Sequence, residues 1–292
     1  MTTMRIADST LVMFWDYDTQ WGADRSRLSN GKATWGHLEF ENTERVLEAH
    51  ARYDVPACFA VVGAAALDGE RPYHDPEQIR RIHGAGHEVA SHSFHHEWLP
   101  AVGIRGLETT VRESRDALEQ CIGARVITFV PPFNQPFDYW RAASISLSER
   151  RSVPQDRIDI PRLCTTLREA GYQVCRTAFR SALLRVRDRI TAESHRAPGM
   201  PRSISGILCL QLNTTCGFRD DVLDAMRANL GKPGLWVVYG HPHSISDPDS
   251  TQSQSNLEHF LATVSEWKRA GRLHCALPRD LVGAAVPTVV EG

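Results

Sequence analysis

Short apolar runs alternate along this chain with segments in which apolar residues recur at helical spacing. The runs of strand length lie at 11–15, 56–63, 88–91, 125–130, 172–175, 204–212, 235–239 and 273–276. Helical patterns cover 40–53, 75–84, 107–123, 160–170, 218–230 and 256–270. Asn42 or Thr43 is the expected N-cap of the first helix, and Asp75 that of the second. The alternation predicts an α/β fold, with a parallel sheet and helices packed outside it.

Polar side chains directly follow four of the predicted strands. They are Asp16 and Asp18, His92 and His96, the sequence Pro131-Pro132-Phe133, and His241. In (β/α) barrels, residues just beyond the C-terminal ends of the strands converge on one rim. Four such strand ends favour a barrel over an open sheet with a single crevice, and we expect the active site at this rim.

We expect residues 1–292 to form a single catalytic (β/α)-barrel domain. Two stretches interrupt its alternation: residues 134–161 are polar with a few early aromatics, and residues 177–205 are rich in arginine. Because long loops in compact domains often serve function, both are interpreted as insertions over the rim. The aromatic side chains that could form a wall for a sugar ring, or simply pack in the core, are Trp21, Phe137, Tyr139 and Trp140.

Composition narrows the class of protein. A formal net charge of −2 gives no reason to expect nucleic acid as the main partner. The seven cysteines are scattered without a CxxC pair, which argues against a cysteine zinc site and suits a reducing compartment. No run approaches the roughly 20 apolar residues of a membrane span. The N-terminal residues lack a signal-peptide pattern, so a cytoplasmic protein is expected.

The histidines and aspartates indicate a metal site. The spacing of His92 and His96 places both imidazoles on one face if the chain forms a helical turn there, and imidazole nitrogen suits Zn²⁺. Asp16 and Asp18 would point to the same side of a strand, where one can bind metal while the other acts as a base. Surface histidines, helix capping by the aspartates, or the DxD motif of glycosyltransferases are the alternatives. His241 is the candidate general acid, with His243 as its competitor.

These elements, in this order, resemble the polysaccharide deacetylase family with its NodB-type domain. The strongest part is Val55 to His96, where VPACFAVVG is similar to a family strand. In the same span, HDPEQIRRIHGAGHEVASHSFHH is similar to the family's helix, its Gly-His-Glu strand and its His-Ser/Thr-x-x-His motif. The resemblance implies a distorted barrel of the NodB type.

The resemblance also implies roles for individual residues. Asp16 would be the general base and Asp18 a metal ligand with His92 and His96, with exchange of the two aspartate roles as the alternative. The family's Arg-x-Pro-Tyr/Phe motif falls on Val130 to Phe133, so Val130 replaces an arginine that steadies the catalytic aspartate. Arg25 or Arg27, in the segment after Asp18, is the expected substitute. The Phe133 N–H would serve as an oxyanion donor, and the family's buried fourth-motif aspartate has no placed counterpart.

The function implied is metal-dependent hydrolysis of an N-acetyl or N-formyl group from a sugar or polysaccharide precursor, with a divalent metal as cofactor and zinc as the expected ion. The substrate would be a small molecule or an oligosaccharide, and the arginine-rich stretch would suit a nucleotide-linked sugar. The rivals are a hydrolase of the same fold that cuts a non-sugar, cyclic amide and a catalytically silent carbohydrate-binding domain. The DxD glycosyltransferase is the last rival, because it leaves His92 and His96 without a role.

Overall fold

A mostly parallel sheet, in which the first five strands lie side by side in sequence order, organises the molecule. The computed structural model describes residues 9–26, 34–136, 158–178 and 197–283. Within these residues the strands are β1 (Ser9–Tyr17), β2 (Cys58–Val61), β3 (Glu88–Ser91), β4 (Thr128–Phe129), β5 (Val174–Thr177), β6 (Arg202–Ile204), β7 (Ile207–Gln211), β8 (Gly234–Gly240) and β9 (His274–Cys275). The α-helices are α1 (Thr19–Arg25), α2 (Gly36–Tyr53), α3 (Pro76–Gly84), α4 (Gly103–Ile122), α5 (Ile160–Glu169), α6 (Asp220–Ala228) and α7 (Gln254–Arg269).

The strand order is β6-β7-β5-β4-β3-β2-β1-β8, and β9 pairs with β1. All the pairings are parallel except that of β6 with β7, which is antiparallel. An isolated antiparallel bridge between Gly199 and Leu235 adds a further pairing at the β8 end of the sheet. The sheet thus curls into an incomplete barrel with helices outside, which confirms the predicted fold.

Alternation along each strand divides the core into two clusters. Trp15 and Phe59 belong to the larger cluster, which also contains apolar residues of the helices. Phe14 and Val130 belong to the smaller cluster, most of whose members come from β1, β2, β3, β5, β7 and β8 and lie on the inner face of the sheet. Because side chains alternate with a period of two, Asp16 follows Phe14 onto this inner face. Towards the C-terminal ends of the strands, the inner face therefore changes from apolar to polar residues.

Local details differ from the predictions in three places. Asn42 and Thr43 are buried inside α2, which begins at Gly36, so neither is its N-cap. The predicted cap of α3 is confirmed, because Asp75 Oδ1 accepts a hydrogen bond of 2.9 Å from the Gln78 N–H. The short α1 and the β6–β7 hairpin were not predicted. The hairpin turns at Ser205 and Gly206, which both have positive φ.

Most of the two predicted insertions lies outside the described residues. Residues 137–157 and 179–196 fall there, with the aromatic residues Phe137, Tyr139 and Trp140 and most of the arginines of the second stretch. Trp21 is described, and its ring packs against Tyr73 and His95. Among the described helices, none is both long and apolar enough to cross a membrane.

Candidate metal centre and active site

The first polar element lies where β1 passes into α1. Asp16 and Asp18 are both buried, with 4% of each residue exposed. Asp18 stands at the N-cap position of α1, yet its side chain makes no capping hydrogen bond. The helix can approach this side chain because residue 22 is glycine: a Cβ there would lie only 2.4 Å from Asp18 Cβ. The carboxylate of Asp18 is therefore available for another partner.

The second element follows β3 and is a loop, so the helical turn expected for His92 to His96 is wrong. Ser93 and His96 both adopt left-handed backbone conformations, with φ of 62° and 58°. The loop is tied to the segment after β2, because the N–H groups of Gly63 and Ala64 donate to the carbonyls of Ser93 and Phe94. These tight bends, rather than helical spacing, bring the two imidazoles together.

His92, His96 and Asp18 form a compact donor set. Asp18 Oδ1 lies 3.3 Å from His92 Nε2 and 3.5 Å from His96 Nε2. One ligand atom from each residue falls within 4.8 Å of the others, and all three side chains are buried. Burial alone would raise the pKa of Asp18, but the neighbouring imidazoles of His96 and His92 hold it well below its ordinary value. The three predicted ligands thus lie side by side.

This donor set fits a divalent metal ion. His92 Nδ1 lies 2.7 Å from the carbonyl oxygen of Val130, so Nδ1 carries the hydrogen and the Nε2 lone pair faces Asp18. Asp18 Oδ1 is fully buried and has no hydrogen-bond partner within the described part of the chain. A buried anionic oxygen without a partner is costly, whereas two imidazoles and one carboxylate match three-residue zinc sites.

Asp16 is held by an arginine from another strand. Arg176, at the end of β5, donates from Nη1 and Nη2 to the two carboxylate oxygens of Asp16, each at 2.7 Å. The Arg176 side chain is completely buried. Burial would raise the pKa of Asp16, but this guanidinium and the nearby His92 bring it below its ordinary value. Asp16 is therefore an ionised carboxylate.

The expectation that Arg25 or Arg27 replaces the missing motif arginine is not supported. Arg25 is exposed at the end of α1, and Arg27 lies outside the described residues. The residue that contacts Asp16 is Arg176. The sequence gives one indication of this role: Arg176 directly follows the apolar run 172–175 and is therefore expected to be buried. Buried arginines are rare unless they are paired with an acid. Its partner lies 160 residues away, and no spacing rule connects the two.

Phe133 lies in a tight turn after β4. Phe133 and Asn134 both have left-handed backbones, with φ of 57° and 54°. The Phe133 ring contacts the His96 ring edge-on, with 4.5 Å between centroids. Asn134 Oδ1 accepts a hydrogen bond of 2.9 Å from Arg176 Nη2. The predicted oxyanion donor is thus part of a turn that contacts both His96 and Arg176.

His241 follows β8 and lies close to Asp16. Its Nε2 lies 3.9 Å from Asp16 Oδ2, the same distance as from that oxygen to His92 Nε2. Its Nδ1 lies 3.2 Å from Gln252 Oε1 and 3.5 Å from Cys216 Sγ. Burial would lower the pKa of His241, but Cys216 and the two aspartates raise it well above the ordinary value. Gln252, which sequence reasoning missed, occupies a position suited to orient the ring.

His243 lies in a different environment. Its Nδ1 is 3.3 Å from Oε2 of Glu39, a fully buried carboxyl of α2, and its ring stacks on Trp35 with 3.7 Å between centroids. Burial and the neighbouring His241 lower the pKa of His243 to about 3. Burial and the charge of Asp18 raise the pKa of Glu39 well above its usual range. Of the two candidate acids, His241 has the position beside Asp16.

Comparisons with known proteins show which family and fold the chain is similar to. A family model described as polysaccharide deacetylase matches residues 34–147, which include His92, His96 and Phe133. A chitooligosaccharide deacetylase of Sinorhizobium fredii is 35% identical over 98 residues. That alignment covers 34% of this chain and 41% of the relative, so the chain matches less than half of the relative's length.

Two solved structures share the fold. A candidate polysaccharide deacetylase from Mycobacterium smegmatis superimposes with a TM-score of 0.64 at 17% identity, over 100% of this chain and 97% of that one. The Puue allantoinase superimposes with a TM-score of 0.59 at 14% identity, over 94% and 89% of the two chains. At these identities the likeness extends to the distorted barrel alone.

Proposed function

We propose that this chain, which belongs to the polysaccharide deacetylase family, is a metal-dependent hydrolase that removes an N-acyl group from a sugar. One observation carries the proposal: Asp16 Oδ2 lies 3.9 Å both from His92 of the donor set and from His241. A carboxylate between a metal-ligating histidine and a second, protonatable histidine matches a base placed beside an acid.

The residues that would hold the metal are Asp18, His92 and His96, and zinc is the ion that this donor set favours. A divalent ion bound there supplies a Lewis acid, which polarises a carbonyl group and lowers the pKa of water. The protein contributes a buried pocket whose ligand orientation is set by the hydrogen bond between His92 Nδ1 and the Val130 carbonyl.

Asp16 accepts the proton of the attacking water. Its carboxylate is ionised, and Arg176 fixes the plane of both oxygens while Oδ2 still faces His92 and His241. A base within reach of the water contributes about 10²–10⁴ in rate. The backbone N–H of Phe133 is the proposed donor to the oxyanion that develops on the acyl oxygen.

His241 delivers a proton to the departing amine. Gln252 Oε1 accepts from Nδ1, so Nε2 is the nitrogen that takes up and releases the proton. The raised pKa of His241 keeps the ring cationic near neutral pH, as a general acid requires. His243 remains neutral under Trp35 and is better suited to contact substrate.

The substrate class follows from the relative rather than from the site. Because the matched relative is a chitooligosaccharide deacetylase, we propose an N-acetylated oligosaccharide or a related precursor. A nucleotide-linked sugar remains a proposal that depends on the arginines of residues 179–196, which lie outside the described residues. The silent-domain alternative loses its main support, since Arg176 provides the guanidinium that Val130 lacks.

The test measures acetate release from N-acetylated chitooligosaccharides, and formate release from N-formylated amino sugars, by the zinc-loaded protein. Asp16→Asn and His92→Ala should abolish release, whereas His83→Ala, a histidine of α3, should retain it. Allantoin is assayed in parallel, because the fold shared with an allantoinase is compatible with hydrolysis of a cyclic amide. Ring opening of allantoin without acyl release from any sugar would replace the sugar substrate with a cyclic one.

A further inference from the structure

Arg176 makes more contacts than an ion pair requires. Two of its nitrogens bind Asp16, and Nη2 also donates to Asn134 Oδ1 at 2.9 Å. Its guanidinium lies 4.7 Å from the centre of the Tyr239 ring and 5.2 Å from that of Phe14. Asn134 in turn donates from Nδ2 to the Tyr239 hydroxyl at 3.3 Å. One buried cation thus joins the end of β1 to the turn after β4 and to β8.

The turn that Asn134 belongs to carries Phe133. Both residues have left-handed backbones, a conformation that asparagine adopts readily but that a bulky residue such as Phe133 rarely adopts unless its surroundings hold it. The hydrogen bond from Arg176 to Asn134 is one of these restraints, and the Phe133 ring packed on His96 is another. The guanidinium of Arg176 therefore connects Asp16 to the turn that contains Phe133.

An arginine at position 130 would lie two residues before this turn in the same chain segment. Its bond to Asp16 would therefore tie the turn to Asp16 through the backbone, without a further side chain. Here position 130 is valine, and its side chain belongs to the same inner cluster as Phe14, over which Arg176 lies. Arg176 thus reaches the inner face from the neighbouring strand β5, which pairs with β4. Since it is not part of the turn, its link to the turn is made through Asn134.

We propose that Arg176 is a positioning residue that sets the base Asp16 and the Phe133 turn at a fixed separation, with Asn134 as the link. The inference rests on the proposed roles of Asp16 and Phe133 in acyl hydrolysis. It assigns to one guanidinium the alignment of two groups that act at opposite ends of the same reaction: removal of the water proton and stabilisation of the acyl oxyanion.

The activity test compares four variants with the wild-type protein. Arg176→Ala should lower kcat by about 10² or more with little change in KM, because misplacing a reacting group by about 1 Å costs that much. Asn134→Ala keeps the Asp16–Arg176 pair and should lower kcat by roughly tenfold. Arg115→Ala removes another arginine that binds a glutamate and a backbone carbonyl, on α4, and should leave kcat unchanged.

The fourth variant moves the arginine back. In Val130→Arg/Arg176→Ala the new side chain starts on the inner face beside the space that Arg176 vacates. The double variant should have a kcat at least tenfold higher than that of Arg176→Ala. Adding Asn134→Ala to the double variant should change kcat little, because the arginine and the turn then lie in the same chain segment. No recovery in a folded double variant would overturn the positioning role, as would Asn134→Ala with full activity. If the double variant does not fold, Arg176→Lys, which cannot hold both oxygens of Asp16 and Asn134 together, should resemble Arg176→Ala.

Crystal structures of Arg176→Ala and Asn134→Ala separate this inference from the proposed function. The separation between the Asp16 carboxylate and the Phe133 nitrogen should change in Arg176→Ala, and the turn alone should move in Asn134→Ala. Unchanged positions in both variants would refute the inference whatever the activity. A wild-type protein that releases no acyl group from any substrate would refute the proposed function, while the two structures would still decide the role of Arg176.

Discussion

The inner face of the sheet buries a carboxyl group at each of its two ends, and the surroundings shift the pKa values of the two groups in opposite directions. At the C-terminal rim, Asp16 is paired with Arg176 and faces two histidines, and its pKa is lowered. At the N-terminal end of β3, Glu88 is as buried as Asp16, but burial raises its pKa to about 7. Glu88 accepts hydrogen bonds from the Thr128 hydroxyl and the Arg279 backbone N–H.

Burial of a carboxyl group is therefore not enough to identify a catalytic site. Desolvation acts on both groups in the same direction, towards the neutral form. Only the rim supplies a full positive charge at hydrogen-bond distance from both oxygens, and this charge keeps a base ionised. At the other end two neutral donors satisfy Glu88, a structural arrangement within a cavity of about 240 Å³ lined by His83, Arg125 and Arg279 among others.

The largest expected effect concerns activity. Asp16→Asn should lower kcat for acyl release by about 10²–10⁴, the usual contribution of a general base. Glu88→Gln is the matched change at the other end of the same face and should leave kcat within about twofold of wild type, as surface and structural positions remote from chemistry usually do. Steady-state kinetics at pH 7 measure both. An equal loss in the two variants would show that activity reports general stability rather than the chemistry of the rim.

Metal binding sharpens the comparison further. Zinc at 100 times its Kd should stabilise the folded chain by about 2.7 kcal/mol, seen as a rise in melting temperature that a chelator reverses. His92→Ala removes one of three ligands and should abolish the rise. His83 lines the cavity at the other end of the inner face, so the His83→Ala variant should keep the zinc-dependent rise in melting temperature. A zinc-dependent rise that survives in His92→Ala would place the metal elsewhere in the chain.

Sequence reasoning succeeded where chemistry follows strand ends. Asp16, Asp18, His92 and His96 were found because parallel strands bring their C-terminal ends together, and the structure places all four within one cluster. The spacing of the two histidines predicted a helical turn, which is wrong. The left-handed conformations of Ser93 and His96 are imposed by packing, and because neither residue is a glycine, the sequence does not indicate them. β4 is only two residues long, where an apolar run of six was expected.

Arg176 and Gln252 show what a single sequence does not reveal. Each acts on a partner that tertiary structure alone brings near, and neither forms a motif with it. Gln252 lies 11 residues after His241 in a loop before α7, and its Oε1 accepts from the His241 backbone N–H as well as lying near Nδ1. Gln252 is recognised only from the hydrogen-bond donors and acceptors that surround His241 in the folded chain.

A smaller effect is expected on the pH dependence of stability. Glu88 has a folded-state pKa of about 7 against an ordinary value of 4.5, so the folded protein binds more protons than the unfolded chain between these values. The contribution of Glu88 is therefore fully present below about pH 4.5 and is lost as the pH rises through 7. Glu88→Gln should be more stable than wild type by about 1–3 kcal/mol at pH 8, relative to their difference at pH 4.5.

Urea unfolding at the two pH values measures this difference. Glu266→Gln, an exposed glutamate of α7, serves as the control and should show no change between them. Asp16 has the opposite sign: its lowered pKa contributes stability above its unfolded value of about 3.9, which is lost as the pH falls through the folded value. A Glu88→Gln variant that tracks wild type at both pH values would mean that Glu88 is charged in the folded protein.

The last prediction concerns His241, whose ring lies beside the neutral side chain of Gln252. Gln252 Oε1 orients His241 without adding charge, so replacing this amide with a carboxylate in Gln252→Glu should stabilise the imidazolium and raise the pKa of His241 further. Because the acid must be protonated to release the amine, the alkaline limb of the kcat profile should move upward by about one pH unit. Gln254→Glu, at the first residue of α7, is the control and should leave the limb in place. If Gln252→Glu also leaves it in place, the alkaline limb belongs to a group other than His241, and the assignment of the general acid has to move to His243.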